Sequence, residues 1–115
     1  METPQEKQPR IDTIEAVMIW WAVSWLGGLG KLKAMVNARG FVSGTNGKAE
    51  ASVSFRFSGS KKASTVVITY ERAHDLYRME FFKGSMPIMV KGYGLLQGSD
   101  LRKTFEEFTG LYLSI

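Results

Sequence analysis

The segment from Ile14 to Leu29 constrains the fold of this chain more than any other stretch. It holds all three tryptophans and six other large apolar residues in front of a Gly27-Gly28 pair, which breaks it near its end. Apolar side chains recur at spacings of three and four, which places them on one face of a helix: Ile11, Ile14, Met18, Trp21 and Trp25. We therefore predict a helix whose tryptophan stripe is buried under a sheet formed by the rest of the chain.

The same helix has apolar residues outside that stripe, at Val17, Trp20 and Val23. A helix of this kind is either deeply buried or uses its second face for a partner. Its apolar run is shorter than the roughly 18 to 20 residues that cross a bilayer, and Glu15 and Ser24 interrupt it. A buried helix is therefore favoured over a membrane-surface anchor, and we expect no membrane insertion.

The length and composition are typical of one globular domain. The chain has 115 residues, of which 44% are hydrophobic and 23% charged, enough for one core. Residues 1–10 are polar and include Pro4 and Pro9, so we expect a disordered leader followed by a single domain over residues 11–115. The absence of cysteine excludes a disulfide framework and a thiol nucleophile, and a reducing cytoplasm is the expected location.

Strand signals fill the middle of the chain. We predict a β-hairpin whose two strands, residues 41–44 and 49–57, flank an Asn46-Gly47 turn. Two further strands are predicted over residues 65–71 and 76–82. Residues 86–93 are expected at an edge of the sheet, because Pro87 cannot donate a ladder hydrogen bond. With a short helix over residues 31–39, the prediction is an α+β fold that has an N-terminal helix or helix pair and a four- to five-stranded antiparallel sheet.

A C-terminal helix is predicted to pack on that sheet. Ser99 or Asp100 can cap its start, and Leu101, Phe105 and Phe108 form an apolar stripe. Gly110 is expected to end the helix in a left-handed conformation. Residues 111–115 should then fold back on the core, because their apolar side chains would otherwise meet water.

Basic charge is concentrated in the middle of the chain. Between Lys31 and Lys91 eleven Lys/Arg residues stand against four Asp/Glu, although the whole chain carries only +4. Two interpretations of this pattern are open: a nucleic-acid surface with Tyr70, Tyr77 or Phe82 as stacking platforms, and an ordinary solvated face. The candidate surface consists of basic side chains of the predicted sheet and its loops together with one exposed aromatic candidate: Arg56, Lys61, Lys62, Arg78, Lys83 and Trp20.

No residue pattern predicts catalysis or a cofactor. His74 lies beside Asp75, but an exposed histidine in a turn explains that pair better than acid/base chemistry does. The glycines between Gly40 and Lys48 lack the spacing of a phosphate loop, and one histidine with scattered carboxylates has no metal-ligand spacing. We therefore expect no catalytic residue, no cofactor-binding residue and no metal site.

Several segments resemble a loose group of small proteins carried by bacteriophages and other mobile elements. The similar segments are LGG at 26–28, LKAM at 32–35, ARGFV at 38–42, DLR at 100–102 and FEEFTGLYLS at 105–114, with a sheet pattern around 67–69 and 77–81. The group has no assigned activity, so the resemblance implies only the context of a mobile-element accessory protein.

The functional interpretation is a binding protein that is not an enzyme. The resemblance and the surplus apolar surface around Val17 and Trp20 favour a phage or mobile-element accessory or anti-defence factor that engages a host protein complex, and a homodimer is a further option. The alternative is a small basic nucleic-acid-binding protein. A continuous stripe of basic residues would favour nucleic acid, and scattered basic residues would favour a protein partner.

Overall fold

A computed structural model describes residues 14–45, 50–84 and 88–113. Within these ranges the chain forms three helices and five strands. In chain order they are α1 (Ile14–Trp25), α2 (Leu29–Val36), β1 (Arg39–Thr45), β2 (Glu50–Arg56), β3 (Thr65–Glu71), β4 (Leu76–Lys83), β5 (Ile88–Leu96) and α3 (Gly98–Thr109).

The five strands form one antiparallel sheet in the order β1-β2-β3-β4-β5, so each strand lies beside its neighbours in the chain. Alternation of apolar and polar residues gives the sheet an inner and an outer face. On the inner face, Val53 pairs with Ile68, and Ile68 pairs with Met79; all three are buried. The predicted α+β fold is confirmed, and β5 lies at the edge where residues 86–93 were expected.

Helix α1 packs on the inner face, against β1, β2 and β3, and beside α3. Among its described side chains, α1 buries Ile19, Ala22 and Val23, and Leu26, which follows the helix directly, is buried as well. The prediction that Trp21 and Trp25 belong to the core is therefore wrong, because Trp21 is 57% exposed and Trp25 44%. Apart from Glu15 and Ser24 the residues of the helix are apolar, so their spacing does not distinguish the buried face, and the small Ala22 allows a closer approach to the sheet than an indole does.

A partly buried hydrogen bond joins α1 to the sheet. The hydroxyl of Tyr77 on β4 donates to the main-chain carbonyl of Met18, at 2.6 Å. Burial raises the pKa of Tyr77 from 10.0 to about 12, and the neighbouring Tyr70 and Asp75 add to the shift. The neutral phenol is thus the form that the fold stabilises.

Helix α3 completes the core on the inner face. Leu101 and Phe105 are fully buried, and the ring of Phe105 lies 5.1 Å from that of Phe57 and 6.0 Å from that of Phe81. Gln97, rather than Ser99 or Asp100, is the N-cap residue. Asp100 contributes to the capping box by accepting a hydrogen bond from the main-chain amide of Gln97, at 3.2 Å.

The C-terminal segment returns to the core as predicted. Gly110 caps α3 with a φ of 79°, and the amide of Leu113 donates to the Glu106 carboxylate at 2.7 Å. Leu113 is buried, whereas Tyr112 is exposed. Several sequence predictions fall on residues outside the described ranges: the leader over residues 1–10, Ile11 of the apolar stripe, the Asn46-Gly47 turn, Met86 and Pro87 of the edge strand, and residues 114–115 of the tail.

Candidate interaction surfaces

Exposed apolar side chains in the described part of α1 form one surface, which we call the tryptophan face. It consists of Val17, Trp20, Trp21 and Trp25, exposed by 37%, 41%, 57% and 44% respectively. Val17, Trp21 and Trp25 follow each other at intervals of four residues and Trp20 lies three residues after Val17, so the four side chains are neighbours on the helix surface. A contiguous aromatic surface of this kind is typical of an interaction site.

The tryptophan face is carried by a helix that is held on its other side. Ile19 and Val23 are inserted into the core, and the indole of Trp25 packs on Gly98 at the start of α3. The sequence of α1 contains neither lysine nor arginine. The face is therefore a rigid apolar surface without flanking cations from its own helix.

Four of the five predicted basic residues lie together, and Arg78 lies apart from them. Arg56 lies at one end of the sheet, where it pairs with Thr65, which in turn pairs with Phe82. Lys61 and Lys62 follow in the β2–β3 loop, and the Lys83 ammonium donates to the main-chain carbonyl of Lys61 at 2.5 Å. These four basic side chains are therefore brought to the same end of the sheet.

The other two members of the candidate surface lie elsewhere. Arg78 pairs with Thr69 on the outer face of the sheet. This row of paired residues is the second one along the outer face from the row that contains Arg56. The Arg78 guanidinium is hydrogen-bonded to the Glu71 carboxylate. Trp20 belongs to the tryptophan face, on the helical side of the sheet. The six residues thus do not form one continuous surface.

Two of the proposed stacking platforms are not available for stacking. Tyr70 and Tyr77 are buried, with their ring centroids 5.5 Å apart, and the Tyr70 hydroxyl donates to Asp75 at 2.6 Å. Their prediction as stacking platforms is wrong, because both side chains point to the inner face. Phe82 lies on the outer face and is half-buried.

His74 is exposed in the turn between β3 and β4, as predicted. Its Nδ1 atom lies 3.4 Å from a carboxylate oxygen of Glu71, and that carboxylate also binds Arg78. Among the described residues, no group of three His, Asp or Glu side chains is placed to hold a metal ion. His74 therefore lies beside the Glu71–Arg78 ion pair.

Sequence reasoning missed Arg39, which pairs with Arg56 at the same end of the sheet. It was assigned to the end of the second helix, whereas α2 ends at Val36 and Asn37 follows with a left-handed φ of 56°. The Arg39 guanidinium donates to the carbonyl of Asn37 at 2.9 Å and to the Ser58 hydroxyl at 3.0 Å. The predicted strand over residues 41–44 begins two residues after Arg39, so an earlier start of that strand would have included it.

Within the described ranges, no helix combines the length and apolarity that a transmembrane span requires. Comparisons with protein-family models, with curated proteins and with solved structures found no match to this chain.

Proposed function

We propose that this chain is a binding protein without enzymatic activity, and that its tryptophan face docks into an apolar groove of a host protein complex. The observation that carries the proposal is the exposure of three indoles on a helix whose opposite face is part of the core. The resemblance to phage proteins supports an accessory or anti-defence role for a mobile element. Cytoplasmic location is part of the same proposal.

The size of the tryptophan face agrees with a docking anchor. Tryptophan is enriched among the residues that dominate protein–protein binding energies. The exposed parts of the three indoles amount to roughly 300 Å², which at about 25 cal/mol per Å² corresponds to roughly 7 kcal/mol before the costs of association. A standard interface buries about 800 Å² per partner, so the tryptophan face would be the centre of a larger contact.

Two other occupants of the tryptophan face are a membrane surface and a second copy of this chain. A helix that lies on a membrane surface has lysines and arginines along its polar side, and α1 has none. A second copy of the chain could bury the same indoles in a symmetric dimer. The oligomeric state of the purified protein separates that case from a foreign partner.

The test is affinity capture from the native host with a variant that removes two indoles. Trp20→Ser/Trp21→Ser is expected to lose a partner that the wild-type chain retains after nuclease treatment. Tyr112→Ser is the matched control, because Tyr112 is a 69% exposed aromatic residue outside α1 and its removal should leave capture unchanged. Thermal unfolding of both variants checks that they fold.

The proposal predicts that the same protein is captured by the wild type and by Tyr112→Ser, and is absent with the double variant. Equal capture by all three chains would contradict it. A wild-type dimer in light scattering that becomes monomeric in Trp20→Ser/Trp21→Ser would also contradict it, since the face would then be occupied by a second copy.

A further inference from the structure

A row of paired residues crosses all five strands at one end of the sheet. Arg39 pairs with Arg56, Arg56 with Thr65, Thr65 with Phe82, and Phe82 with Met89. The β2–β3 loop leaves from this row and carries Lys61 and Lys62, and Lys83 follows Phe82 directly. We call this group of five side chains the basic end: Arg39, Arg56, Lys61, Lys62 and Lys83.

All five side chains of the basic end are exposed. In the described part of the chain, none of their charged groups lies within salt-bridge distance of a carboxylate. Their polar contacts are to neutral groups, such as the Ser58 hydroxyl for Arg39 and the Lys61 carbonyl for Lys83. The positive charge of this end is therefore not neutralised within the described structure.

The opposite end of the sheet differs, because it contains an ion pair. There Glu71 contacts both Arg78 and His74, and the Asp75 carboxylate accepts a hydrogen bond from Tyr70. Glu80, one outer-face row from the basic end, lies 3.9 Å from Arg78. The antiparallel register thus places the unpaired positive charges at one end of the sheet and the Glu71–Arg78 ion pair nearer the other end.

We infer that the basic end binds the phosphate backbone of a nucleic acid, independently of base sequence. Arg39, Arg56 and Lys83 lie on β1, β2 and β4, which at about 4.8 Å per strand spacing spreads them over roughly 14 Å. Successive phosphates of one duplex strand advance by about 3.4 Å along the helix axis, so a contact of this length parallel to the axis passes about four of them.

The arrangement of the charges favours a nucleic acid over a flat anionic membrane. Arg56 projects from the outer face, whereas the Lys62 ammonium lies 5.6 Å from the ring centroid of Phe108 on the helical side. The charges therefore wrap around the end of the sheet, and a nucleic-acid strand can follow that path. Base recognition is not implied, because Phe82 is the one aromatic side chain in the row and is half-buried.

The test measures the anisotropy of a fluorescein-labelled 20-nucleotide DNA, single-stranded and as a duplex, at several salt concentrations. Lys61→Gln/Lys62→Gln/Lys83→Gln is expected to weaken binding at least about tenfold and to reduce the salt slope by about 2 to 3. The matched control Lys33→Gln/Arg102→Gln/Lys103→Gln removes the same charge from exposed helical positions and should change affinity less than about twofold. Arg39→Gln/Arg56→Gln replaces the first variant if that variant melts early.

Three outcomes would overturn the inference. Equal weakening by both triple variants would assign binding to net charge alone. Absence of binding to either DNA at low salt would exclude the ligand. Binding to phosphatidylserine vesicles or to polyglutamate, without binding to DNA, would assign the basic end to a membrane or an acidic protein. Trp20→Ser/Trp21→Ser should bind DNA as the wild type does, so this test is independent of the proposed docking function.

Discussion

The indole of Trp25, in the last turn of α1, packs directly on Gly98, the first residue of α3. A Cβ atom at position 98 would come within 3.0 Å of Cε2 of that indole and closer still to Cδ1 and Nε1. The contact joins the helix of the tryptophan face to the helix that fills the centre of the core. Glycine is required there because of a close approach between two elements.

Gly98→Ala should therefore displace Trp25 and destabilise the protein by about 1 to 3 kcal/mol, the range of overpacking substitutions. The matched control is Gly30→Ala near the start of α2, where an added Cβ meets nothing within 4 Å; it should be neutral or stabilise by up to about 1 kcal/mol through helix propensity. Chemical denaturation measures both, and a red shift of Trp25 emission in a Trp20→Phe/Trp21→Phe background reports the displacement. Equal stability of the two variants would refute the contact.

Trp21→Ala should change the free energy of unfolding by no more than about 1 kcal/mol, because most of this side chain is in water. Phe105→Ala, in contrast, removes a ring that is fully buried among Phe55, Phe57 and Phe81, and should cost about 3 to 5 kcal/mol. Urea denaturation of the two variants compares them directly. A large decrease in the free energy of unfolding for Trp21→Ala would show that this indole is part of the core.

Gly110→Val should cost about 1 to 2 kcal/mol, because a β-branched residue is forced to a φ of 79°. Nothing lies within 4 Å of an added Cβ at this position, so the cost comes from the backbone alone. Gly110→Asn is the control, because asparagine tolerates the left-handed conformation and should recover much of the loss. If valine and asparagine reduce the melting temperature equally, the left-handed cap is not the cause.

Alkaline pH should weaken the fold through Tyr77. Its pKa is raised to about 12 by burial, so the folded state keeps the proton after the unfolded chain has lost it. The stabilisation is complete below pH 10 and is lost as the pH rises from 10 towards 12, on the order of 2 kcal/mol in total.

Tyr77→Phe isolates this effect. The variant should be less stable than the wild type by about 1 kcal/mol at pH 8, because it lacks the hydrogen bond to Met18. Since phenylalanine does not ionise, the difference should shrink as the pH rises from 10 and should reverse in sign towards pH 12, because the wild type loses more stability than the hydrogen bond contributes. Urea denaturation at four pH values gives the comparison, and a constant difference would show that Tyr77 does not titrate in this range.

The strands could be predicted from the sequence because alternating patterns such as Val53, Phe55 and Phe57 against Ser52, Ser54 and Arg56 specify both a strand and its buried face. The end of α3 could be predicted for a similar local reason, since Gly110 follows the Leu101, Phe105, Phe108 stripe and favours a left-handed cap. These features depend on residues that are close together in the chain, and that is why the α+β fold followed from them.

The orientation of α1 and the composition of the two surfaces were decided by tertiary structure. Helix α1 carries apolar side chains around most of its circumference, so their spacing in the sequence does not show which face is buried. In the structure α1 packs on the sheet at Ala22, and Trp21 is therefore exposed to water. Likewise Arg39, Arg56 and Lys83 are far apart in sequence, and only the strand register brings them to one end of the sheet. Local patterns determine which side chains alternate, whereas the contacts between distant elements determine which of them meet.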